Sequence, residues 1–205
     1  MTQLNKPNKL SFDCQLGTIN YLIRRLRPYI PFTALNTVWR KLDKSSRTIL
    51  DVGCGKGEPM AFINRQGRFK AVGIDIFRPY LEEARKKSYV LRPKSPKDIG
   101  PIYSDLILGD VRFLPFKDKS FDAVICLEVL EHLEEEGGEK LLNEIERVAR
   151  RQILLSTPVG KYEQHPFDGN PYQKHRYIWQ IEDLQRRGYK IKGAGIKGLP
   201  RKEIS

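Results

Sequence analysis

The stretch ILDVGCGKG, residues 49–57, carries the strongest structural signal in this sequence. Residues 48–52 form a short apolar run, which predicts a buried β-strand. The glycines that follow predict a tight turn, because glycine adopts backbone conformations that are closed to other residues. A strand that enters such a turn is typical of sheets that bind a ligand at the carboxyl ends of their strands.

Strands and helices alternate along the rest of the chain. Strands are predicted at 69–76, 106–108, 120–127, 152–156 and 189–196, and helices at 19–26, 33–42, 58–66, 78–87, 138–151 and 179–187. Short connections between them indicate parallel β-α-β units. We therefore predict an α/β fold, a Rossmann-like three-layer α/β/α sandwich with a mostly parallel sheet and an N-terminal helical extension.

The net charge of the chain lies at its two ends. The formal net charge is +12, yet residues 49–151 carry equal numbers of acidic and basic side chains. Residues 1–48 carry nine Lys/Arg against two Asp/Glu, and residues 184–205 carry seven against one. Basic ends of this kind attract an anionic partner such as RNA or a membrane surface, or they only maintain solubility. Both interpretations stay open at this point.

The cysteine and hydropathy patterns argue against several classes of protein. The three cysteines, Cys14, Cys54 and Cys126, form no Cys-x-x-Cys pair, and the histidines show no compact ligand spacing, so we predict no metal site. An odd number of thiols favours a reduced, cytoplasmic protein. The sequence holds no apolar run of eighteen residues and predicts no transmembrane segment. The polar first twelve residues predict no signal peptide.

Three acidic residues at or just after the carboxyl ends of predicted strands indicate the chemistry of the ligand. Asp51 lies at the entrance of the glycine turn, where it suits a ligand with a positively charged amino group. Asp75 ends the second strand, where a carboxylate can accept hydrogen bonds from both ribose hydroxyls. Asp110 follows the third strand, where it can accept the exocyclic amine of an adenine. Glu58 occupies the sixth position of the turn and does not match a dinucleotide fingerprint.

With these acids in order, the sequence resembles the class I S-adenosylmethionine-dependent methyltransferases. The matching segments are ILDVGCGKG (49–57), VGIDI (72–76), LGDVRFLPFKDKSFDAVICLEVLEHL (108–133) and ILLSTP (153–158). The resemblance covers residues 48–196 and implies S-adenosylmethionine as the cofactor. It also implies a seven-stranded sheet with one reversed strand. Residues 48–205 would form the cofactor-binding domain, and residues 1–47 a lid over the pocket or a contact with a membrane surface.

The resemblance also assigns parts of the cofactor to individual residues. The methionine and ribose side would be lined by Asp51, Gly53 and Gly55, and the ribose held by Asp75. The adenine would contact Ile76, Asp110 and Val111, and the cofactor's amino group would meet the backbone of Leu127. One departure from the family concerns the final antiparallel strand, which is doubtful because only nine mostly polar residues follow Ile196.

Three histidines are the candidate general bases: His132, His165 and His175. His132 follows the fourth strand, and the other two lie in a loop rich in aromatic and polar residues at 161–177. A base assists methyl transfer to a hydroxyl group, and the Asn/Asp-Pro-Pro-Tyr signature of amino-group methylation does not follow the fourth strand. We expect a small-molecule acceptor, methylated at oxygen. RNA methylation and a non-catalytic, cofactor-binding partner subunit are the alternatives, and the sequence sets no oligomeric state.

Overall fold

The computed structural model describes residues 34–64, 66–87, 101–158, 166 and 168–191. The predicted helix at 19–26, His165 and residues 192–196 of the last predicted strand lie outside the described residues. The chain divides into two compact units. Of the smaller unit, the structure describes only residues 34–40, which lie in helix α1 (Ala34–Lys41). The larger unit, Lys41–Gly193, contains every residue whose structure is discussed below.

Five parallel strands form the sheet of the larger unit. They are β1 (Thr48–Val52), β2 (Lys70–Asp75), β3 (Asp105–Leu108), β4 (Phe121–Leu127) and β5 (Ala149–Ser156). Their order across the sheet is β3-β2-β1-β4-β5, and every neighbouring pair is parallel. The predicted α/β fold with a mostly parallel, Rossmann-like sheet is therefore confirmed.

Three helices connect strands of the sheet: α2 (Glu58–Ile63), α3 (Arg78–Lys87) and α4 (Glu135–Val148). Helix α5 (Ile181–Arg186) follows β5, and 3-10 helices lie at Leu130–His132 and Pro171–Gln173. The chain runs outward from β1 in one direction and from β4 in the other. Because crossover connections between parallel strands are right-handed, α2 and α3 lie on one face of the sheet and α4 on the other. Among the described residues, no helix has the length and apolar character needed to cross a bilayer.

The register of the strands places their carboxyl ends at one edge. Val52 pairs with Ile74 on one side and with Cys126 on the other, and Asp75 pairs with Leu108. The middle of the sheet is fully buried, so this register is fixed by core packing. The residues that follow β1, β2, β3 and β4 consequently meet at a single edge, and the order of the strands reverses between β1 and β4. Ligands of open α/β sheets bind at such a point.

Helix α4 is shifted by three residues from its predicted position. It begins at Glu135, where acidic side chains favour the amino-terminal end of a helix, and it ends at Val148 rather than Arg151. Ala149 leaves the helix because its backbone pairs with Phe121 as the first residue of β5. The sheet hydrogen bonds thus override the helical pattern at 149–151.

Two other predicted helices are shorter in the structure, and one predicted strand does not form in its described part. Helix α2 ends at Ile63 because the side chain of Asn64 bonds both the N–H and the carbonyl of Phe69, which competes with helical hydrogen bonds. Helix α5 begins at Ile181, after a capping box between Gln180 and Asp183. Residues 189–191 follow it outside any strand.

Candidate active site

The glycine turn after β1 is held open by left-handed backbone conformations. Gly53, Gly55 and Gly57 have φ angles of 65°, 52° and 78°. The N–H groups of Gly53 and Cys54 both donate to the carbonyl of Ile74, at 2.9 and 3.1 Å, which ties the turn to the end of β2. A Cβ at Gly53 would lie 2.3 Å from Val129 Cγ2, so only glycine lets the residues after β4 approach the turn so closely.

Asp75 joins the glycine turn to the end of β2. Its Oδ2 accepts the N–H of Gly55 at 2.8 Å, and its Oδ1 accepts the N–H of Phe77 at 2.8 Å. Burial raises the pKa of Asp75, and these backbone donors counteract the rise. Each carboxylate oxygen has a second lone pair, so Asp75 keeps the acceptors that two ribose hydroxyls require.

Asp51 lies under the glycine turn and is only 2% exposed. Its Oδ2 accepts the hydroxyl hydrogen of Tyr103 at 2.6 Å. Burial raises the pKa of Asp51 to about 7, the hydrogen bond from Tyr103 lowers it, and the charge of Asp75 raises it further. Asp51 is therefore close to half-ionised at neutral pH, and a cation placed over the turn would favour its charged form.

Three apolar side chains are exposed at or after the ends of β2 and β3. They are Ile76, Leu108 and Phe113, which are 37%, 44% and 65% exposed. Ile76 directly follows Asp75, which pairs with Leu108 at the sheet edge. Val111, the other predicted adenine contact, is buried. Exposed apolar side chains near Asp75, which is predicted to bind the ribose, suit the flat face of an adenine.

Asp110 is engaged by a neighbouring arginine. Its Oδ1 accepts the backbone N–H of Arg112 at 2.9 Å, and its Oδ2 accepts the terminal N–H of the guanidinium at 2.5 Å, while the Nε–H of Arg112 lies 3.0 Å from both oxygens. The hydrogen bonds from Arg112 lower the pKa of Asp110. An adenine amine would have to share these oxygens with Arg112.

The chain makes a sharp turn directly after Leu127, at the end of β4. Glu128 has a φ of 55°, and its N–H donates to the carbonyl of Ser156 at 3.0 Å. The hydroxyl of Ser156 donates to Oε1 of Glu128 at 2.6 Å. A non-glycine residue in this conformation is uncommon and costs about 1–2 kcal/mol. The hydrogen bonds from the neighbouring strand β5 hold it in place.

The structure brings Glu131, His132 and His175 together beside this turn. One ligand atom from each lies within 4.8 Å of the other two. The His132 and His175 rings lie 5.0 Å apart, and Nδ1 of His132 is 3.2 Å from the carbonyl oxygen of Lys174. Burial lowers the pKa of His132. Burial, aided by the charge of Glu128, raises the pKa of Glu131 to about 8.

Backbone contacts and a buried tryptophan fix the segment that carries His175. The N–H groups of Arg176 and Tyr177 donate to the carbonyl of Glu131 at 2.8 and 3.4 Å. The indole N–H of Trp179 donates to the carbonyl of Leu130 at 3.2 Å. The Trp179 ring packs on the backbone of α4 so closely that a Cβ at Gly138 would lie 2.2 Å from Cζ2.

A second contact connects the loop after β5 to the glycine turn. The ammonium group of Lys56 pairs with Asp168, and it lies 3.2 Å from Oε1 of Glu83. It also lies 5.0 Å from the ring centroid of Tyr80, and the Tyr80 hydroxyl bonds with Asn170. The loop that leads to His175 is thus attached at both the glycine turn and the end of β4.

Three residues described above were not predicted as part of the site. Tyr103 lies outside the matching segments, at the end of a proline-rich loop. Phe113 and Glu131 lie inside the matching segment 108–133, but the predictions drew on other residues of that segment. Of the three candidate histidines, His132 and His175 meet, and His165 lies outside the described residues.

The amino-acid sequence matches one known protein family over about half of its length. Residues 50–155, from the end of β1 into β5, match the family described as "Methyltransferase domain". The chain belongs to the class I S-adenosylmethionine-dependent methyltransferases. The matched span includes the glycine turn, Asp75, Asp110 and the turn after Leu127.

Two relatives and one solved structure show how far the similarity extends. The methyltransferase is 31% identical to an uncharacterized protein of Methanocaldococcus jannaschii over 165 residues, 78% of this chain and 63% of that protein. It is 27% identical to the ubiquinone biosynthesis O-methyltransferase of Rickettsia bellii over 143 residues, 70% of this chain and 50% of that protein. The chain thus spans between 50% and 63% of the length of these two relatives.

The crystal structure of a SAM-dependent methyltransferase from Archaeoglobus fulgidus has the same fold. It superposes with a TM-score of 0.51 at 21% sequence identity, and the superposition covers 82% of this chain and 65% of that one.

Proposed function

We propose that this methyltransferase transfers a methyl group from S-adenosylmethionine to a hydroxyl oxygen of a small-molecule acceptor. The observation that carries the proposal is the position of Glu131, His132 and His175. These three groups lie beside the turn after β4, and Val129 of that turn reaches the backbone of Gly53. A proton acceptor and the cofactor-binding turn therefore share one edge of the sheet.

The residues at the glycine turn fit the cofactor. The backbone of Gly53 and Gly55 leaves a surface without side chains, and Asp75 offers two partly used carboxylate oxygens to the ribose. The exposed surface of Ile76 and Phe113 suits the adenine. Asp51 lies beneath the turn, where its carboxylate favours a ligand with a positive charge. We assign the amino group of the cofactor to the backbone after Leu127.

The protein's part in the reaction is to position the acceptor and remove its proton. S-adenosylmethionine supplies a methyl group that is already activated by its sulfonium, so the acceptor oxygen attacks in line. Because burial lowers the pKa of His132, its imidazole is neutral at physiological pH. A neutral imidazole can accept a hydroxyl proton or bind a cation that acidifies the hydroxyl. Either role suits an oxygen acceptor, and the Rickettsia relative is itself named as an O-methyltransferase.

Cofactor binding is tested first, by calorimetry with S-adenosylmethionine. We expect Asp75→Asn to weaken the affinity about 10–100-fold, because a hydrogen bond to a charged group contributes about 1.5–3 kcal/mol. Asp105→Asn is the matched control, since Asp105 is exposed at the opposite end of β3. Equal affinities for wild type and Asp75→Asn would contradict the assignment of Asp75 to the ribose.

The acceptor is tested with labelled cofactor and fractionated cell extract, followed by identification of the labelled product by mass spectrometry. A methylated hydroxyl on a small molecule supports the proposal. A label found only in RNA favours the alternative that the net charge of +12 suggests, namely an RNA methyltransferase. RNA binding of that kind would weaken steeply with salt, which a gel-shift series measures.

A further inference from the structure

The cluster of Glu131, His132 and His175 has the composition and spacing of a metal site. Its three ligand atoms all lie within 4.8 Å of one another. Ligand atoms that bind one zinc-like ion tetrahedrally at about 2.0–2.2 Å are about 3.3–3.6 Å apart. Side-chain rotations that move the atoms by about 1 Å therefore close the site. We propose that Glu131, His132 and His175 bind a divalent transition-metal ion that holds the oxygen of the methyl acceptor.

The surroundings of His132 and Glu131 already hold both side chains in ligating orientations. The Lys174 carbonyl, 3.2 Å from Nδ1 of His132, can only accept a hydrogen bond, so Nδ1 carries the hydrogen and Nε2 keeps its lone pair. Histidines that bind metals almost always donate their second N–H in this way. Likewise, the Thr157 hydroxyl donates to Oε2 of Glu131 at 3.2 Å, and the backbone N–H of Glu131 bonds its own carboxylate. The two carboxylate oxygens have further lone pairs for an ion.

A cation would also compensate the negative charge of the buried Glu131 carboxylate. Its side chain is almost fully buried at 3% exposure. Among the residues that the structure describes, no lysine or arginine forms an ion pair with it. A buried carboxylate needs a partner of opposite charge or a proton. Two imidazoles beside it favour zinc, iron or cobalt over magnesium or calcium, which prefer oxygen ligands alone.

The spacing of these three residues along the sequence does not indicate a metal site. Glu131 and His132 are adjacent, while His175 is more than forty residues further along the chain. The backbone bonds from Arg176 and Tyr177 to the carbonyl of Glu131 bring the two segments together. Because these bonds and the buried Trp179 are independent of any ion, the three ligands are preorganised rather than gathered by the metal.

The role of the ion in methyl transfer rests on the proposed function. Three protein ligands leave open positions, which an acceptor with two neighbouring oxygen atoms would fill. The ion lowers the pKa of the bound hydroxyl, whose proton passes to water. The oxygen lone pair then forms the bond to the methyl carbon, and the carbon–sulfur electron pair leaves with sulfur as a neutral thioether. His132 is thereby a ligand rather than the base.

Metal binding is tested on the full chain without an affinity tag, after treatment with a chelator. Co²⁺ is added stepwise and its visible absorption is followed, together with the metal content of the dialysed protein. We expect one Co²⁺ per chain, and at least a tenfold loss of affinity in His175→Ala and in Glu131→Gln. Glu136→Gln is the matched control, because Glu136 is exposed and pairs with Lys140. Its Co²⁺ affinity should equal that of the wild type.

The outcomes separate this inference from the proposed function. Co²⁺ binding that survives unchanged in His175→Ala and Glu131→Gln, or no stoichiometric binding in the wild type, would overturn the metal site. Chelator-treated protein that transfers methyl groups at the full rate would overturn the role of the ion, while leaving O-methylation intact. Stoichiometric Co²⁺ binding in a protein that methylates no hydroxyl would support the site and reject the proposed function.

Discussion

The two halves of the site are built from different materials. The half proposed for the cofactor, called the cofactor half below, consists mainly of backbone: left-handed glycines, N–H groups that bind the carboxylate of Asp75, and a carbonyl of Ile74 that holds the turn. The half proposed for the acceptor consists of side chains, with Glu131 and His132 from one segment and His175 from another. A backbone site tolerates few substitutions, whereas a side-chain site can change its chemistry by changing single residues.

The largest effect is expected from Gly53→Ala in the cofactor half. The new Cβ would lie 2.3 Å from Val129 Cγ2, and the residue keeps a φ of 65°. Left-handed backbone costs about 1–2 kcal/mol and overpacking about 1–3 kcal/mol. Unfolding in urea should therefore show a loss of about 2–5 kcal/mol. At Gly55 the nearest atom is 3.9 Å away, so Gly55→Ala should lose only about 1–2 kcal/mol. Equal losses would refute the close approach of Val129.

Each half of the site contains one buried acid, Asp51 or Glu131, that should make the free energy of unfolding depend on pH. Because burial raises the pKa of Asp51 to about 7, the folded protein holds a proton that the unfolded chain releases near pH 4. The free energy of unfolding should then decrease between about pH 4 and 7, by up to about 1.4 kcal/mol per pH unit, and level off above. Asp51→Asn should flatten this part of the curve.

Glu131 is the buried acid of the acceptor half. Because its pKa is raised to about 8, the free energy of unfolding should continue to decrease up to about pH 8, and Glu131→Gln should flatten the curve over this range. Urea unfolding of chelator-treated protein across this range measures both variants. If the wild-type curve and the Asp51→Asn curve are parallel from pH 5 to 7, the burial of an ionisable Asp51 is contradicted.

A smaller effect is expected from Gly138→Ala, which displaces the anchor of the acceptor half. Its Cβ would lie 2.2 Å from Cζ2 of the buried Trp179. Overpacking costs about 1–3 kcal/mol, and the better helix propensity of alanine returns about 1 kcal/mol. We expect a net loss of about 0–2 kcal/mol by urea unfolding.

Gly137→Ala is the control for Gly138→Ala. Its Cβ would meet the flexible side chain of Arg112 at 3.3 Å, so this variant should be neutral or up to about 1 kcal/mol more stable. A stabilised Gly138→Ala protein would show that Trp179 is not packed on α4.

The sequence predicted the cofactor half far better than the acceptor half. Glycines and strand-end acids have fixed spacing, because a parallel sheet aligns the carboxyl ends of its strands, and so Gly53, Gly55 and Asp75 meet as expected. The contact of Tyr103 with Asp51 depends on how a long connection folds back, which no local pattern specifies. The same holds for His175, whose approach to His132 follows from the docking of Trp179.

The predicted ends of two helices were wrong for a related reason. Residues 149–151 continue the helical pattern of α4, yet Ala149 pairs with β4 and belongs to the sheet. Local periodicity predicts that an element exists, and tertiary hydrogen bonds decide where it stops. Asn64 ends α2 in the same manner, because its side chain binds the backbone of Phe69.

The reactivity of the buried thiol of Cys54 can report how often the glycine turn opens. The thiol is 3% exposed, and a Cβ at Gly73 would lie 2.9 Å from its sulfur, so it sits pressed between the turn and β2. A thiol reagent can reach it only while the turn is lifted. In a Cys14→Ser protein the rate of labelling at Cys54, relative to the fully buried Cys126, therefore times this opening. S-adenosylmethionine should slow it in proportion to its occupancy.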